Sequence, residues 1–389
     1  VGGLRELVVA RGRANGLDAV GIADAAPFER TRRDLLERRA AGLHADMQFT
    51  YRDPDRSTDP SRTLPGARSL IVGAVRYASD VDGDDPSPSD RRRPSARVAR
   101  YATGEHEAVL RGALAAIAED LRYRGHRSVV LVDDNALVDR AAAHRAGLGW
   151  FGKSSNLLLP GRGSWFVLGS VLTDAVLEPA PAPVADGCGS CRRCVDACPT
   201  GAIVADGVVD ARRCLSWLIQ SPGTFPHEHR VALGDRVYGC DDCQEVCPPN
   251  RRSDRRGEGT APAGRGAAVP VAPPGRLPGT ARVDVLWMLG ASDDELLAAA
   301  GRWYVPDRDP DHLRRNALLV LGNTADGAVP EVVAVLRTYL RHERDLLASH
   351  AAWAALRLGR ADLLDEPGVA GRPAVEAERS LGVAGPGVR

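Results

Sequence analysis

Apolar residues in LRELVVARGRANGL, beginning at Leu4, recur at the three-to-four spacing of one helix face. DAVGIADA follows as a short apolar run and predicts a strand. LPGARSLIVGAVRY places a Pro-Gly turn ahead of a buried strand from Ser69 to Val75. HEAVLRGALAAIAEDLRYRG is an amphipathic helix stopped by Gly125. HRSVVLVDD then predicts a strand, LVDRAAAHRAGLG a helix with a glycine stop, and GSWFVLGSVLTD another strand. The alternation implies a mixed α+β or α/β architecture, a sheet with helices packed on it.

The pattern changes further along the chain. DVDGDDPSPSDRRRPS is polar and reads as a surface loop, PAPAPVADG as a linker, and RRSDRRGEGTAPAGRGAAVPVAPPGRLPGT as a Gly/Pro/Arg excursion. From Asp284 the periodicity is helical throughout. LRRNALLVLGN, with Gly322, and SHAAWAALRLGR, with Gly359, resemble each other at an offset of about 37 residues, near the period of HEAT-type hairpins. The tail ERSLGVAGPGVR reads as frayed. Chain order thus gives an α/β domain over residues 1–178, a cysteine-bearing ferredoxin-like domain over 179–255, a Gly/Pro-rich loop over 256–280 and a HEAT-like helical domain over 281–389.

At 389 residues, with 44% hydrophobic and 26% charged residues, the composition is that of a soluble globular protein. No window reaches about eighteen apolar residues, so no membrane span is expected. The first residues lack the charge and apolar run of a signal peptide, and the expectation is a cytoplasmic monomer. Net charge is zero, so a polyanionic partner must meet a local patch. Candidate patches are Arg91–Arg93, Arg97 and Arg100, Arg251–Arg252, Arg255–Arg256 and Arg314–Arg315; each reads equally well as a solvated face. Of 51 basic residues only Lys153 is lysine. A compact ammonium on a flexible stem is one reason to keep it.

All eight cysteines lie between Cys188 and Cys247. Cys188, Cys191, Cys194 and Cys198, followed by Pro199, form the complete C-x2-C-x2-C-x3-C-P run of bacterial ferredoxins. In two-cluster ferredoxins three cysteines of such a run bind one cubane and the fourth binds the other. Cys240, Cys243 and Cys247 repeat the pattern with one member missing, and Cys214 is the cysteine left to supply it. Two 4Fe–4S clusters follow: one on Cys188, Cys191, Cys194 and Cys247, the other on Cys198, Cys214, Cys240 and Cys243. Disulfides do not suit the expected compartment, and paired zinc sites do not suit the four-cysteine run. Such a wire must deliver electrons to an acceptor in the other half; there Asp133 lies at the end of a predicted strand, where α/β folds place chemistry, and alone it reads as a strand-end capping carboxylate.

Taken together, the chain resembles epoxyqueuosine reductase. The likeness is carried by Val132–Asp133, Asp139–Arg140–Ala141, AGLGWFGK from Ala146, Gly163–Ser164, CGSCRRCVDACPTGAI, Asp210 to Cys214, Gly234 and YGCDDCQ from Tyr238. LPGARSLIV, RYATG, RRNALLVLGN and AAWAAL extend it over nearly the whole chain. The resemblance implies cobalamin, Asp133 as proton donor, and tRNA carrying epoxyqueuosine as substrate. It also implies that Arg56, Ala99, Leu157, Leu168, Ser216, Asp241 and Asp242 lie near the cobalamin, with Arg140 and Lys153 in or near the pocket. An external electron donor is needed. Burial is expected to raise the Asp133 pKa. Asp134–Asn135–Ala136 depart from the usual family pattern after the catalytic aspartate; Asp134 either repels charge or points to solvent. The Asp-Tyr-His element after RYA-x-G is absent, and position 154 holds Ser where Asn is commoner. Alternatives are a corrinoid reductive dehalogenase, an electron-transfer module without its own substrate, and an RNA-binding protein with structural clusters.

Overall fold

The computed structural model describes residues 3–77, 91–255, 281–301 and 303–382. The chain packs into two compact units, each made of three segments. The first is Val1–Ala78, Glu105–Arg212 and Asp242–Ala263; the second is Ser79–Gly104, Arg213–Asp241 and Gly264–Arg389. These units cut across the division by chain order, because the cysteine-bearing stretch contributes to both.

In the first unit four strands form one sheet in the order Ala19–Asp24, Ser69–Arg76, Phe166–Thr173, Ser128–Val132, and every pairing is antiparallel. Ser69–Arg76 is buried along its whole length. Its alternate side chains feed two cores. Leu70, Val72 and Ala74 join Leu131, Leu137, Ala142 and Leu172, while Ile71 and Val75 join Leu17, Leu110, Leu114 and Ile117. Each fully buried Leu or Ile contributes about 1.5–3 kcal/mol. The helices Leu4–Ala14, His106–Tyr123 and Asp139–Arg145 match the periodic stretches of the sequence. Arg251–Arg255, read as part of a loop, instead closes the helix Pro248–Arg255. Residues 256–280, and most of the polar loop before Arg91, lie outside the described residues.

In the second unit Ser95–Val98 is the middle strand, parallel to Arg236–Tyr238 and antiparallel to Arg282–Asp284. Helices Asp311–Thr324, Pro330–Leu340 and Asp345–Arg357 carry most of the core. Gly322 and Gly359, aligned by the 37-residue offset, have different tasks. A Cβ at Gly322 would press on Ala354 and Trp353, whereas Gly359 holds φ +74° in open space after its helix. The tail is ordered helix through Leu381, because Glu378 makes a buried 2.7 Å ion pair with Arg230. The remainder of that tail lies outside the described residues.

Arg314 and Arg315 are not a solvated face. Arg315 is fully buried and donates to the carbonyls of Leu218, Ile219, Ser221 and Gly223 at 2.6–3.2 Å. Asn316 donates to Ile219 and Val237 carbonyls at 2.9 and 3.3 Å. Burial holds the Arg315 pKa down at about 9. Two buried histidines accept from the same stretch: His312 Nε2 from the Gly223 N–H at 3.3 Å and His350 Nε2 from the Phe225 N–H at 3.2 Å. Burial, then the nearby arginine charge, lowers both pKa values below 6.5, and His350 well below it. The folded state therefore binds fewer protons than the unfolded one. The stability these neutral rings contribute is complete above pH ~6.5 and is lost as pH falls through the folded values. Urea unfolding from pH 7.5 to 5 should show a decline of up to about 1.4 kcal/mol per pH unit for each ring, and His350→Gln should flatten it.

Candidate functional site: the cysteine turns and the Asp133 loop

None of the eight cysteines is in a disulfide, and all are half-buried. Cys188, Cys191, Cys194, Cys198, Cys243 and Cys247 belong to the first unit, Cys214 and Cys240 to the second. Burial pushes the Cys247 thiol up to about 11, and the charges of Cys188, Cys194 and Cys191 push the same way, against an Asn250 N–H bond. Cys194 is raised likewise, by burial first and then by Cys188. These four side chains therefore share one neighbourhood, and without compensating positive charge Cys194 and Cys247 resist becoming thiolates. A metal cluster supplies that charge, so the donor set fits one. Among the described residues no three His, Cys, Asp or Glu converge on one point as a single ion requires; a cubane spreads its thiolates over four separate irons.

The turn bearing Cys243 and Cys247 is held from the sheet side. Ser164 Oγ donates to Gln244 Oε1 at 2.8 Å. Asn250 Oδ1 accepts from the Ser164 N–H at 2.6 Å, and Asn250 Nδ2 donates to the Gln244 carbonyl at 2.8 Å. Gly163 sits beneath at φ +77°, where a Cβ would collide with the Asn250 carboxamide. Gly163→Ala is expected to destabilise by about 3 kcal/mol or more and to lower iron retention, as measured by urea unfolding and iron analysis.

In the second unit Cys214 caps the helix Leu215–Gln220, and its carbonyl accepts from the Trp217 and Leu218 N–H groups. Cys240 follows the strand Arg236–Tyr238. Ala99, Ser216 and Asp241, three of the residues expected near the cobalamin, lie in this unit. The Ala99 N–H donates to the Tyr238 carbonyl at 2.8 Å. Buried Asp241 accepts from the Arg100 N–H at 2.7 Å. The Ser216 carbonyl accepts from Gln220 Nε2, which also reaches Tyr101 Oη at 3.2 Å.

In the first unit Val132 pairs with Gly169, so one step further Asp133 stands opposite Leu168. The ladder ends there because Asp133 adopts φ 52°. The sheet is antiparallel, so this position is set by the loop and not by the end of a parallel strand. Asp134 Oδ1 accepts from the Ala136 N–H at 2.8 Å and closes the turn, a task the sequence did not suggest. Ser57, fully buried, donates through Oγ to the Asn135 carbonyl at 2.7 Å and ties the helix Pro54–Ser57, with Arg56, to the same loop. Leu157 and Leu168 share one apolar cluster with Ala136, Val138 and Ala141. Arg56, Asp133, Leu157 and Leu168 are therefore gathered in this unit. Apolar Leu157 and Leu168 in one unit with the exposed side chains of Asp133, Arg56 and Arg140 are residue types that fit a large, mostly apolar ring with polar side groups.

Asp133 is exposed in the chain, contrary to the expected burial. The strongly raised carboxyl is Asp139, six residues on. Burial, then the charge of Asp133, pushes it to about 8, with Arg140 opposing. The shift favours the neutral form of Asp139. No spacing signal in the sequence marked Ser57 or Asp139 for these roles. Lys153 Nζ lies 3.1 Å from Asp206 Oδ2. Asp242 opens the helix Asp242–Glu245 ahead of Cys243. His144 bonds the Gly149 carbonyl through Nδ1 at 2.9 Å.

Residues 57–134 match the family model described as Epoxyqueuosine reductase QueG, DUF1730, and residues 187–250 match a 4Fe-4S double cluster binding domain. The epoxyqueuosine reductase of Bacillus cereus is 32% identical over 361 residues, spanning 92% of this chain and 89% of its own. That of Bacillus subtilis is 31% identical, spanning 92% and 88%. A solved epoxyqueuosine reductase with an epoxyqueuosine-modified tRNA-Tyr stem loop superposes with a TM-score of 0.81 at 28% identity, covering 97% of each chain. The Bacillus subtilis structure with its catalytic aspartate loop swung out of the active site gives the same TM-score of 0.81, identity of 28% and coverage of 97% of each chain. The chain belongs to the epoxyqueuosine reductase family.

Proposed function

We propose that this protein reduces epoxyqueuosine to queuosine at the wobble position of tRNA, with Asp133 as proton donor. The redox groups are cobalamin and two 4Fe–4S clusters, one on Cys188, Cys191, Cys194 and Cys247 and the other on Cys198, Cys214, Cys240 and Cys243. The observation that carries the reading is the loop that holds Asp133 out beside Leu157 and Leu168, in a chain of this family with eight free cysteines.

Removing the epoxide oxygen as water takes two electrons and two protons. When bound, the clusters and cobalamin supply the two electrons. Arg56, Ala99, Leu157, Leu168, Ser216, Asp241 and Asp242 hold the cobalamin, several through backbone atoms. Arg140, whose charge acts on Asp139, and Lys153 lie in or near that pocket, and Lys153 also anchors the neighbouring hairpin through Asp206. Asp133 gives its proton to the oxygen as negative charge develops on it, the moment at which a general acid acts most strongly. The turn closed by Asp134 and fastened by Ser57 keeps that carboxyl in register.

The exposed arginines at Arg92–Arg93 and Arg251–Arg252 are candidates to grip phosphate, with the C-terminal helices supporting the anticodon arm. Buried Arg314 and Arg315 do not take that part. Binding should weaken linearly on a log–log salt plot. The test of the whole reading is anaerobic incubation of the iron-loaded protein with cobalamin, a reductant and tRNA bearing epoxyqueuosine. Nucleoside mass analysis should register the loss of one oxygen; an unchanged nucleoside in protein with full iron would refute it.

A further inference from the structure

The loop after Trp150–Phe151 runs from Gly152 to Asn156 and leads into Leu157–Leu158, which pairs back on the first strand. It is closed by the Gly152 N–H donating to the Asn156 carbonyl at 2.8 Å, with Ser155 at φ 64°. Its outer side grips the turn between Ile203–Ala205 and Val208–Val209. Lys153 Nζ meets Asp206, the Gly207 N–H donates to the Lys153 carbonyl at 3.0 Å, and Ser155 Oγ donates to the Gly207 carbonyl at 2.7 Å. These anchors fix the loop and leave the Asn156 side chain directed to a cysteine. Its Nδ2 lies 3.7 Å from Cys243 Sγ and 3.3 Å from Ser154 Oγ.

We propose that Asn156 is a positioning residue for electron transfer, donating its carboxamide N–H to the Cys243 thiolate and so raising the reduction potential of the cluster that Cys243 binds. Reduction adds one negative charge, shared between iron and sulfur. A donor aimed at a ligand sulfur stabilises the reduced cluster more than the oxidised one, and hydrogen bonds to sulfur are among the determinants of these potentials. The contact comes from the segment that also carries Leu157, so the sheet side of the molecule sets both an apolar face and the ease of loading an electron. The inference rests on Cys243 being a cluster ligand.

The experiment is an EPR-monitored potentiometric titration of the anaerobically purified, iron-loaded protein. Asn156→Leu keeps the volume and removes the donor. One cluster should become about tenfold harder to reduce, a fall of about 59 mV for a one-electron couple, while the other cluster and the iron content stay unchanged. Asn156→Asp puts an anion in place of the donor and should lower the same potential further. Two unchanged potentials in iron-replete Asn156→Leu would overturn the proposal, and so would loss of iron from both Asn156 variants, which would make Asn156 an assembly residue. Full iron in Cys243→Ala would instead remove the ligand assignment on which the proposal stands.

Discussion

Asp133→Asn is expected to cut turnover of epoxyqueuosine-bearing tRNA by about 10²–10⁴-fold, the usual contribution of a positioned general acid. Iron content and cobalamin retention should stay at the wild-type level. Asparagine suits the test because Asp and Asn both tolerate the left-handed backbone that Asp133 adopts. The carboxamide keeps the shape and loses the transferable proton. Asp133→Ala should lose turnover as well, with an added strain of about 1 kcal/mol from a non-glycine side chain that cannot bond locally at that φ. The neighbouring Asp134 already bonds the Ala136 N–H, so the variant does not undo the turn. Wild-type rates from an iron-replete Asp133→Asn would take this residue out of the chemistry.

The second large effect concerns Cys214. Its replacement by alanine should lower iron from about eight to about four per chain, since a cubane missing one thiolate is lost while the other keeps its full set. The EPR signal of one reduced cluster should vanish and the other should persist unshifted. Cys247 feels the charges of Cys188, Cys194 and Cys191, as it must if those four share a cluster, which leaves Cys214 to the second set. Cys247→Ala should therefore remove the complementary signal. Identical spectra from the two variants would refute the partition.

Much of this was legible in the chain because it is local. Strand and helix patterns between Leu4 and Thr173 match observed elements, since the near-continuous apolar run Ser69–Arg76, buried along its whole length, and the 3.6-residue repeat in His106–Tyr123 are set by the faces they bury. The cysteine spacing was equally plain, because ligand geometry constrains short loops. Pairing direction was not legible: an antiparallel sheet with Phe166–Thr173 between Ser69–Arg76 and Ser128–Val132 depends on long-range docking. The Arg314–Arg315 pair looked like a surface patch because a dipeptide carries no sign of the carbonyls that will surround it. Asp133 drew attention through its resemblance to a family motif. Ser57 and Asp139 act on its loop from positions that no spacing rule connects to it.

The grip of Arg315 and Asn316 on residues 218–223 and on Val237 has an architectural corollary. Two cysteines, at positions 214 and 240, take their bearings from a helix about 75 to 100 residues downstream. A shortened protein ending before Asp311 would not be a leaner reductase; it would carry two cysteines on slack backbone, with donors and acceptors left open to water. The carboxy-terminal helices are thus scaffolding for redox chemistry whatever else they touch, and a metal-loading defect is the symptom to look for when they are damaged.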